Sequence, residues 1–250
     1  GVPTNREVFD GTQVTFPVVA QASGYQTALV GKWHLKSEPV GFDHYERLVG
    51  QGNYYGPRMI RNGSEVLHEG YTTDVITDLA LEWLQTGRDE SRPFVLMVQH
   101  KAPHREWMPG PDHLHDMEGI DLPEPATLFD DHSGRGRAST MQEMTIKDHL
   151  RPMDLKLTMP EWMMRMTPEE RAAWDKAYEP RNEAFRALEL TGDDLIRWKY
   201  QRYAKDYLRC IASVDDSVGR ILDSLESLGI DENTIVIYTS DQGGYLGEHG

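Results

Sequence analysis

The chain is 250 residues long and carries a formal net charge of −15. This length allows a substantial core, and so strong a negative charge argues against a general binder of nucleic acids or anionic membranes, because both would repel it at long range. The single cysteine, Cys210, excludes an internal disulfide and the paired cysteines of a zinc site. No apolar run approaches the roughly 20 residues that span a bilayer.

The first hundred residues are predicted to form a sheet with helices packed on it. Residues 16–23 predict a short helix, and residues 25–30 (YQTALV) predict a buried strand. Residues 37–61 are rich in Gly, Pro, Asn and Tyr and predict a loop. Apolar residues three and four apart predict a helix at 71–86, and a second buried strand is predicted at 94–99 (FVLMVQ).

The rest of the chain is irregular at first and then helical. Residues from about 110 to 165 predict a long surface insertion, because they are rich in Pro, His, Asp and Gly. A helix is predicted to begin at Pro168 and to stop before Pro180. The strongest helical pattern covers residues 193–228, and the β-branched run at 234–238 (TIVIY) predicts a third buried strand.

Each predicted strand is followed by polar side chains. They are Lys32 and His34, then His100, Lys101 and His104, and finally Asp241 and Gln242. If the strands are parallel neighbours, their carboxyl ends meet at one crevice. Cationic and imidazole groups beside hard oxygen ligands suit a sulfate or phosphate ester, with calcium or magnesium as the metal.

Each of these residues has a simpler interpretation when it is taken alone. Asp241 could cap a helix, a single Lys is usually solvated, and a single His is usually a structural residue. Cys210 lies inside the long predicted helix and is expected to be small buried packing. The coincidence of three polar strand ends favours the site over these separate explanations.

Three motifs resemble the sulfatase branch of the alkaline phosphatase superfamily. They are Gly31-Lys32-Trp33-His34-Leu35, Ala102-Pro103-His104, and Ser240-Asp241-Gln242-Gly243 with Gly247-Glu248-His249-Gly250. Their order and separations fit, and the last is similar to bacterial sulfatases that act on sulfated glycans, including the N-acetylglucosamine-6-sulfatase type. The resemblance implies an α/β fold with a mostly parallel sheet flanked by helices. It also implies one catalytic domain over residues 1–250, incomplete at both ends.

The same resemblance implies that the parent enzyme removes sulfate from a sulfated carbohydrate with formylglycine and calcium. Lys32 and His34 are implied to contact the sulfate and the activated nucleophile, and His104 the ester oxygen. Asp241 and Gln242 are implied to ligate calcium. Many family members have Asn in place of Gln242. Gln242 keeps the amide oxygen but carries it on a side chain that is one methylene longer.

Further implications concern the substrate, the nucleophile and the compartment. His249 is implied to reach the substrate. Formylglycine is made from Cys or Ser in a Cys/Ser-x-Pro/Ala-x-Arg motif, but Cys210 has Val214 in the position of the arginine. We therefore expect the chain to be an inactive segment of a longer protein, which a formylglycine-generating or anaerobic maturation enzyme processes. Family members are periplasmic or secreted, which implies export.

Two alternatives stay open at this point. The parent could be another esterase of the same superfamily, a phosphodiesterase or phosphonate hydrolase, in which a Thr nucleophile would favour phosphorus chemistry. It could also be a glycan-binding pseudoenzyme without catalytic activity. The identity of the nucleophile distinguishes these alternatives from a sulfatase.

Overall fold

A computed structural model describes residues 2–250 and divides them into two compact units. The first unit comprises the chain up to Ala102 together with Arg165–Thr167 and Val214–Thr234. The second comprises Pro103–Met164, Pro168–Ser213 and Ile235–Gly250. The description of the chain as one catalytic domain stays a prediction.

The first unit is built on a five-stranded sheet with the order β4-β3-β2-β1-β5. The strands are β1 (Gln26–Gly31), β2 (His44–Leu48), β3 (Arg58–Arg61), β4 (Ser64–Leu67) and β5 (Phe94–Gln99). β1 pairs in parallel with β2 and β5, whereas β3 and β4 extend the sheet by antiparallel pairing. The α/β class and the strands predicted at 25–30 and 94–99 are confirmed, and the antiparallel edge makes the sheet mixed.

The prediction of a loop at 37–61 is wrong, because β2 and β3 lie within this range. Their sequences, HYERL and RMIR, are too short and too polar to show an apolar alternation. The polar residues are accommodated by ion pairs across the sheet. Glu46 is only 1% exposed and accepts hydrogen bonds from Arg61 Nε (2.6 Å) and His68 Nε2 (2.5 Å). Such pairing is invisible in a local pattern.

Five α-helices lie in the described residues. They are α1 (Phe16–Ala22), α2 (Thr72–Glu82), α3 (Arg137–Thr140), α4 (Pro168–Leu188) and α5 (Gly192–Ser227). Helix α2 continues as a π-helical turn over Trp83–Gly87, which confirms the helix predicted at 71–86. The helix predicted at 193–228 is confirmed by α5, after which Gly229 adopts a left-handed φ of 65°.

Helix α2 covers one face of the sheet. Val75 and Ile76 pack on Val30, Leu48 and Met59 in one apolar cluster of the first unit. A second cluster consists of Ala28, Trp83, Leu84 and Leu225. Because β1 lies between two parallel neighbours and under this helix, its residues 28–30 are fully buried. The strand that leads to Lys32 is therefore buried along its whole length.

The second unit joins an irregular segment to α4 and to the part of α5 that ends at Ser213. Between residues 103 and 167, regular structure is limited to α3 and to 3₁₀ turns at Pro111–His113 and Glu161–Met163. This segment is nevertheless partly internal. It buries Leu114, Leu128, Ile146, Leu150 and Leu155.

Helix α4 continues through Pro180, where the sequence predicts its end. Proline removes one helical hydrogen bond and costs roughly 3 kcal/mol in a helix interior. Buried side chains on both sides of it hold the helix to α5. Tyr178 Oη donates to Asp206 Oδ1 at 2.7 Å, and Arg202 donates to the amide oxygen of Asn182. These tertiary contacts offset the local penalty.

The prediction of a third strand at 234–238 is also wrong. The structure has a 3₁₀ turn at Asp231–Asn233 followed by chain without strand pairing. Ile235 is 90% exposed and Ile237 81% exposed. β-Branched residues favour an extended backbone, but a strand needs a neighbour for its hydrogen bonds. No other strand in residues 2–250 pairs with this run.

In the described part of the chain, no helix is both long enough and apolar enough to cross a membrane.

Candidate active site

The carboxyl ends of β1 and β5 lie side by side. The parallel register pairs Gly31 with Gln99, and the Lys32 backbone N–H donates to the Gln99 carbonyl oxygen at 2.7 Å. Lys32 and His34 follow β1, and Lys101 follows β5, so these side chains leave the sheet at the same edge. In α/β folds this edge is where ligands bind. The parallel pairing of the first two predicted strands is confirmed, while a single site formed by their polar ends stays a prediction.

His34 is a neutral hydrogen-bond donor at this edge. Burial lowers the pKa of His34, and the positive charges of Lys32, Lys36 and Lys101 lower it further. The Gln51 side-chain amide nitrogen lies 3.2 Å from His34 Nδ1. An amide nitrogen can only donate, so Nδ1 accepts and the ring proton lies on Nε2. His34 therefore presents an N–H group beside cations, which suits an anionic oxygen.

Lys101 is the most buried cation of the site. It is 4% exposed, and its Nζ lies 4.9 Å from the centre of the Tyr54 ring. The ring face stabilises the ammonium group, and burial strengthens its attraction for an anion. Sequence reasoning missed both Tyr54 and Gln51. Neither carries a local signal, because their role depends on where residues 51–54 fold.

His100 belongs to a buried chain of hydroxyl groups. Thr77 Oγ1 donates to the Thr73 carbonyl oxygen at 2.7 Å, so it accepts from Ser217 Oγ, which lies 2.5 Å away. The Ser217 hydroxyl proton is thereby used, and Ser217 Oγ accepts from His100 Nε2 at 2.9 Å. His100 Nδ1 is then an unprotonated, buried nitrogen with no hydrogen-bond partner in the described residues. Burial lowers the pKa of His100 to about 4.

The low pKa of His100 predicts a loss of stability in mild acid. Between pH 6.5 and about pH 4, His100 binds a proton in the unfolded chain but stays neutral in the folded protein. The free energy of unfolding should therefore fall by about 2 to 3 kcal/mol over this range. Urea unfolding at pH 7 and pH 4.5 measures this loss. His100→Gln removes the titrating ring and should give a shallower fall. If the free energy of unfolding fell by the same amount between pH 7 and pH 4.5 in both proteins, the low pKa of His100 would be contradicted.

The other predicted site residues lie in the second unit. His104 Nδ1 lies 2.7 Å from the Arg105 carbonyl oxygen. His249 Nδ1 lies 2.8 Å from Asp130 Oδ2, and the His249 backbone N–H donates to Thr127 Oγ1 at 3.0 Å. The hydrogen bond from His249, together with that from Arg135, lowers the pKa of Asp130 to about 2. Both imidazoles are thus held through Nδ1.

The residues predicted to bind calcium are both exposed in the second unit. Asp241 and Gln242 supply a carboxylate and an amide oxygen, the ligand type that a hard cation prefers. No group of three or more His, Cys, Asp or Glu residues gathers in a metal-binding arrangement within residues 2–250. The two oxygens thus fit calcium in kind, while its usual shell of about six to eight oxygens needs further ligands. Their convergence with Lys32 and His34 stays a prediction.

The charged edge of the sheet in the first unit indicates a class of protein. Two lysines and a neutral imidazole N–H meet at the carboxyl edge of parallel strands, as expected for an α/β enzyme acting on an anionic ester. The family model described as Sulfatase matches residues 2–250. The chain belongs to the sulfatase family, as its motifs predict.

Relatives of known name support this membership. The chain is 47% identical over 266 residues to an N-acetylglucosamine-6-O-sulfatase of Bacteroides thetaiotaomicron, covering 100% of the chain and 48% of the relative. An extracellular sulfatase SULF-1 homolog of Drosophila melanogaster is 24% identical over 239 residues, covering 91% of the chain and 17% of the relative.

A solved structure confirms the fold. It is a protein in complex with its substrate, D-glucosamine-2-N,6-O-disulfate, and it matches with a TM-score of 0.93 and 47% identity. The match covers 99% of the present chain and 53% of that chain. The chain thus spans about half the length of this protein and of the Bacteroides relative. The predicted alkaline-phosphatase-like α/β architecture is confirmed by this similarity.

Proposed function

We propose that the protein to which this chain belongs hydrolyses a sulfate ester on a glucosamine-type sugar. The observation that carries the proposal is the cluster of Lys32, His34 and Lys101 at the carboxyl edge of β1 and β5. Its charge and its N–H donor suit the oxygens of a sulfate group. The sugar is inferred from the 47% identity to the Bacteroides N-acetylglucosamine-6-O-sulfatase.

The residues of this chain have distinct proposed roles. Lys32 and Lys101 offset the negative charge of the sulfate group, and His34 donates a hydrogen bond from Nε2. His104 gives a proton to the oxygen of the leaving alcohol. His249, held by Asp130, contacts the substrate.

Calcium and formylglycine are proposed as the cofactors, as in the family. Asp241 and Gln242 would contribute two of the calcium ligands, and formylglycine, made by a maturation enzyme, would provide the nucleophile. The bound groups would supply positive charge and an attacking oxygen. Magnesium is the other hard cation that these ligand types accept.

Export to the periplasm or the cell exterior is proposed for the whole protein. The support is its relationship to a protein named as an extracellular sulfatase.

The experiment is a turnover assay of the matured, full-length protein. The panel contains glucosamine-6-O-sulfate, N-acetylglucosamine-6-O-sulfate and an aryl sulfate, with matched phosphate mono- and diesters. We expect release of sulfate from the 6-O-sulfated sugars and little release of phosphate. Preferred cleavage of the phosphorus esters would instead support a phosphodiesterase or phosphonate hydrolase. Glycan binding without any turnover would support a pseudoenzyme.

A further inference from the structure

We propose that Asp154 is a positioning residue for His104, acting through Arg105, and that it selects Nε2 as the ring nitrogen that gives the proton. The inference rests on the proposed sulfatase function and on contacts within the second unit. Asp154 lies 50 residues from His104 in the irregular segment, and nothing in its local sequence marks it as functional.

Asp154 holds the guanidinium group of Arg105. Arg105 Nε donates to Asp154 Oδ1 at 2.9 Å, and Arg105 Nη2 donates to Asp154 Oδ2 at 2.5 Å. Arg105 Nη2 also donates to the His149 carbonyl oxygen at 2.5 Å. Asp154 is fully buried. A two-pronged pair between a guanidinium and a buried carboxylate fixes both position and orientation, which a single hydrogen bond does not.

Asp154 is itself held in place by Arg151. Arg151 binds it through its backbone N–H (2.7 Å) and through Nε and Nη2 (both 3.1 Å). Burial raises the pKa of Asp154, but the hydrogen bonds from Arg105 and Arg151 outweigh it, so the pKa lies below its usual value. Asp154 is therefore an ionised carboxylate with a fixed orientation at neutral pH.

Arg105 binds the His104 ring through its backbone carbonyl oxygen. The Arg105 carbonyl oxygen can only accept, so His104 Nδ1 carries the proton in the 2.7 Å hydrogen bond between them. The neutral ring then has its lone pair on Nε2. In the protonated ring, Nδ1–H remains on the carbonyl and Nε2–H is the proton available for transfer. A mobile Arg105 would let the neutral ring adopt the other tautomer.

His104 is the source of the proton that the leaving alcohol gains when the sulfate ester is cleaved. The oxygen of the nucleophile would form a bond to sulfur as the bond between sulfur and the ester oxygen breaks, and the electron pair of the broken bond goes to the leaving oxygen. That oxygen takes the Nε2 proton of His104, which returns to the neutral ring with Nδ1–H still donated to Arg105. The other tautomer would have no N–H at Nδ1 for the carbonyl, so the orientation of the ring would be lost.

The test compares Asp154→Asn with Asp206→Asn in the full-length, matured protein. Asp206 is an equally buried carboxylate of the second unit, but it pairs with Lys156 and Arg209 and does not bind Arg105. For a 6-O-sulfated sugar, whose leaving alcohol needs a proton, Asp154→Asn should lower kcat/KM roughly tenfold to a hundredfold. For nitrophenyl sulfate, whose leaving group needs none, the loss should be at most about twofold. Asp206→Asn should affect both substrates equally.

A second measurement reads the tautomer without turnover. ¹⁵N spectra of the histidine-labelled protein report which ring nitrogen is protonated, and His104→Gln identifies the signal. We expect Nδ1–H in the wild type and a shift towards Nε2–H in Asp154→Asn. Arg105→Lys keeps the positive charge but loses the paired guanidinium hydrogen bonds to Asp154, so it should show the same shift. This variant replaces Asp154→Asn if Asp154→Asn does not fold.

The two hypotheses fail in different ways. A wild type that cleaves no sulfate ester would refute the proposed function, while the ¹⁵N spectra would still decide the role of Asp154. An unchanged His104 tautomer in both variants, or equal losses on the two substrates, would overturn the positioning role and leave Asp154 as a structural residue.

Discussion

Lys32→Ala in the full-length, matured protein should lower kcat/KM for a sulfated sugar by about a hundredfold to a thousandfold. Lys32 follows the buried strand β1, and its backbone N–H donates to the Gln99 carbonyl oxygen at 2.7 Å, so the backbone that carries this charged side chain is fixed at the strand edge. Loss of a fixed charge that stabilises the developing negative charge raises the barrier directly. Steady-state kinetics on glucosamine-6-O-sulfate measure the effect.

Lys36→Ala is the matched control for this prediction. Lys36 is also a lysine near His34, but its Nζ donates to the Arg6 carbonyl oxygen at 3.2 Å. Its removal changes the net charge by the same amount and should change kcat/KM by no more than about threefold, as an exposed charge acts only through a screened field. Equal losses in the two variants would show that general electrostatics, not the position of Lys32, governs the rate.

The sequence predicts the site residues of the first unit because their signal is local. Gly31 ends a strand that is apolar enough to be recognised, Lys32 and His34 follow that strand, and Lys101 follows another. Parallel pairing then brings these ends together without further information. For this reason the family and the cationic edge could both be inferred before the structure.

The missed features depend on partners that are distant in sequence. Gln51 and Tyr54 gain their roles from the ends of β1 and β5, and Asp154 gains its role from Arg105, 49 residues away. Pro180 predicts a helix end because the local rule ignores the contacts of α4 with α5. Conversely, TIVIY predicts a strand because propensity does not reveal whether a neighbouring strand exists.

Gly31→Ala should be strongly destabilising, with a loss of roughly 3 to 5 kcal/mol in the free energy of unfolding. Gly31 has a φ of 116°, a region that L-residues with a side chain rarely adopt. A Cβ at this position would lie 2.0 Å from the Gln99 carbonyl oxygen, the same atom that accepts the Lys32 hydrogen bond. The methyl group would push β1 away from β5 and displace Lys32 with it.

Gly219→Ala separates this effect from the general cost of replacing glycine. Gly219 lies inside α5, and a Cβ there would meet no atom within 4 Å apart from the neighbouring backbone of its own helix. Alanine favours the helix, so this variant should be more stable by up to about 1 kcal/mol. Urea unfolding of both variants measures the contrast. If Gly31→Ala unfolds at the wild-type urea concentration and keeps its turnover, the close approach of β1 and β5 at Gly31 does not position the site. If it loses both stability and turnover, the glycine before Lys32 is the element that sets the position of the first cation.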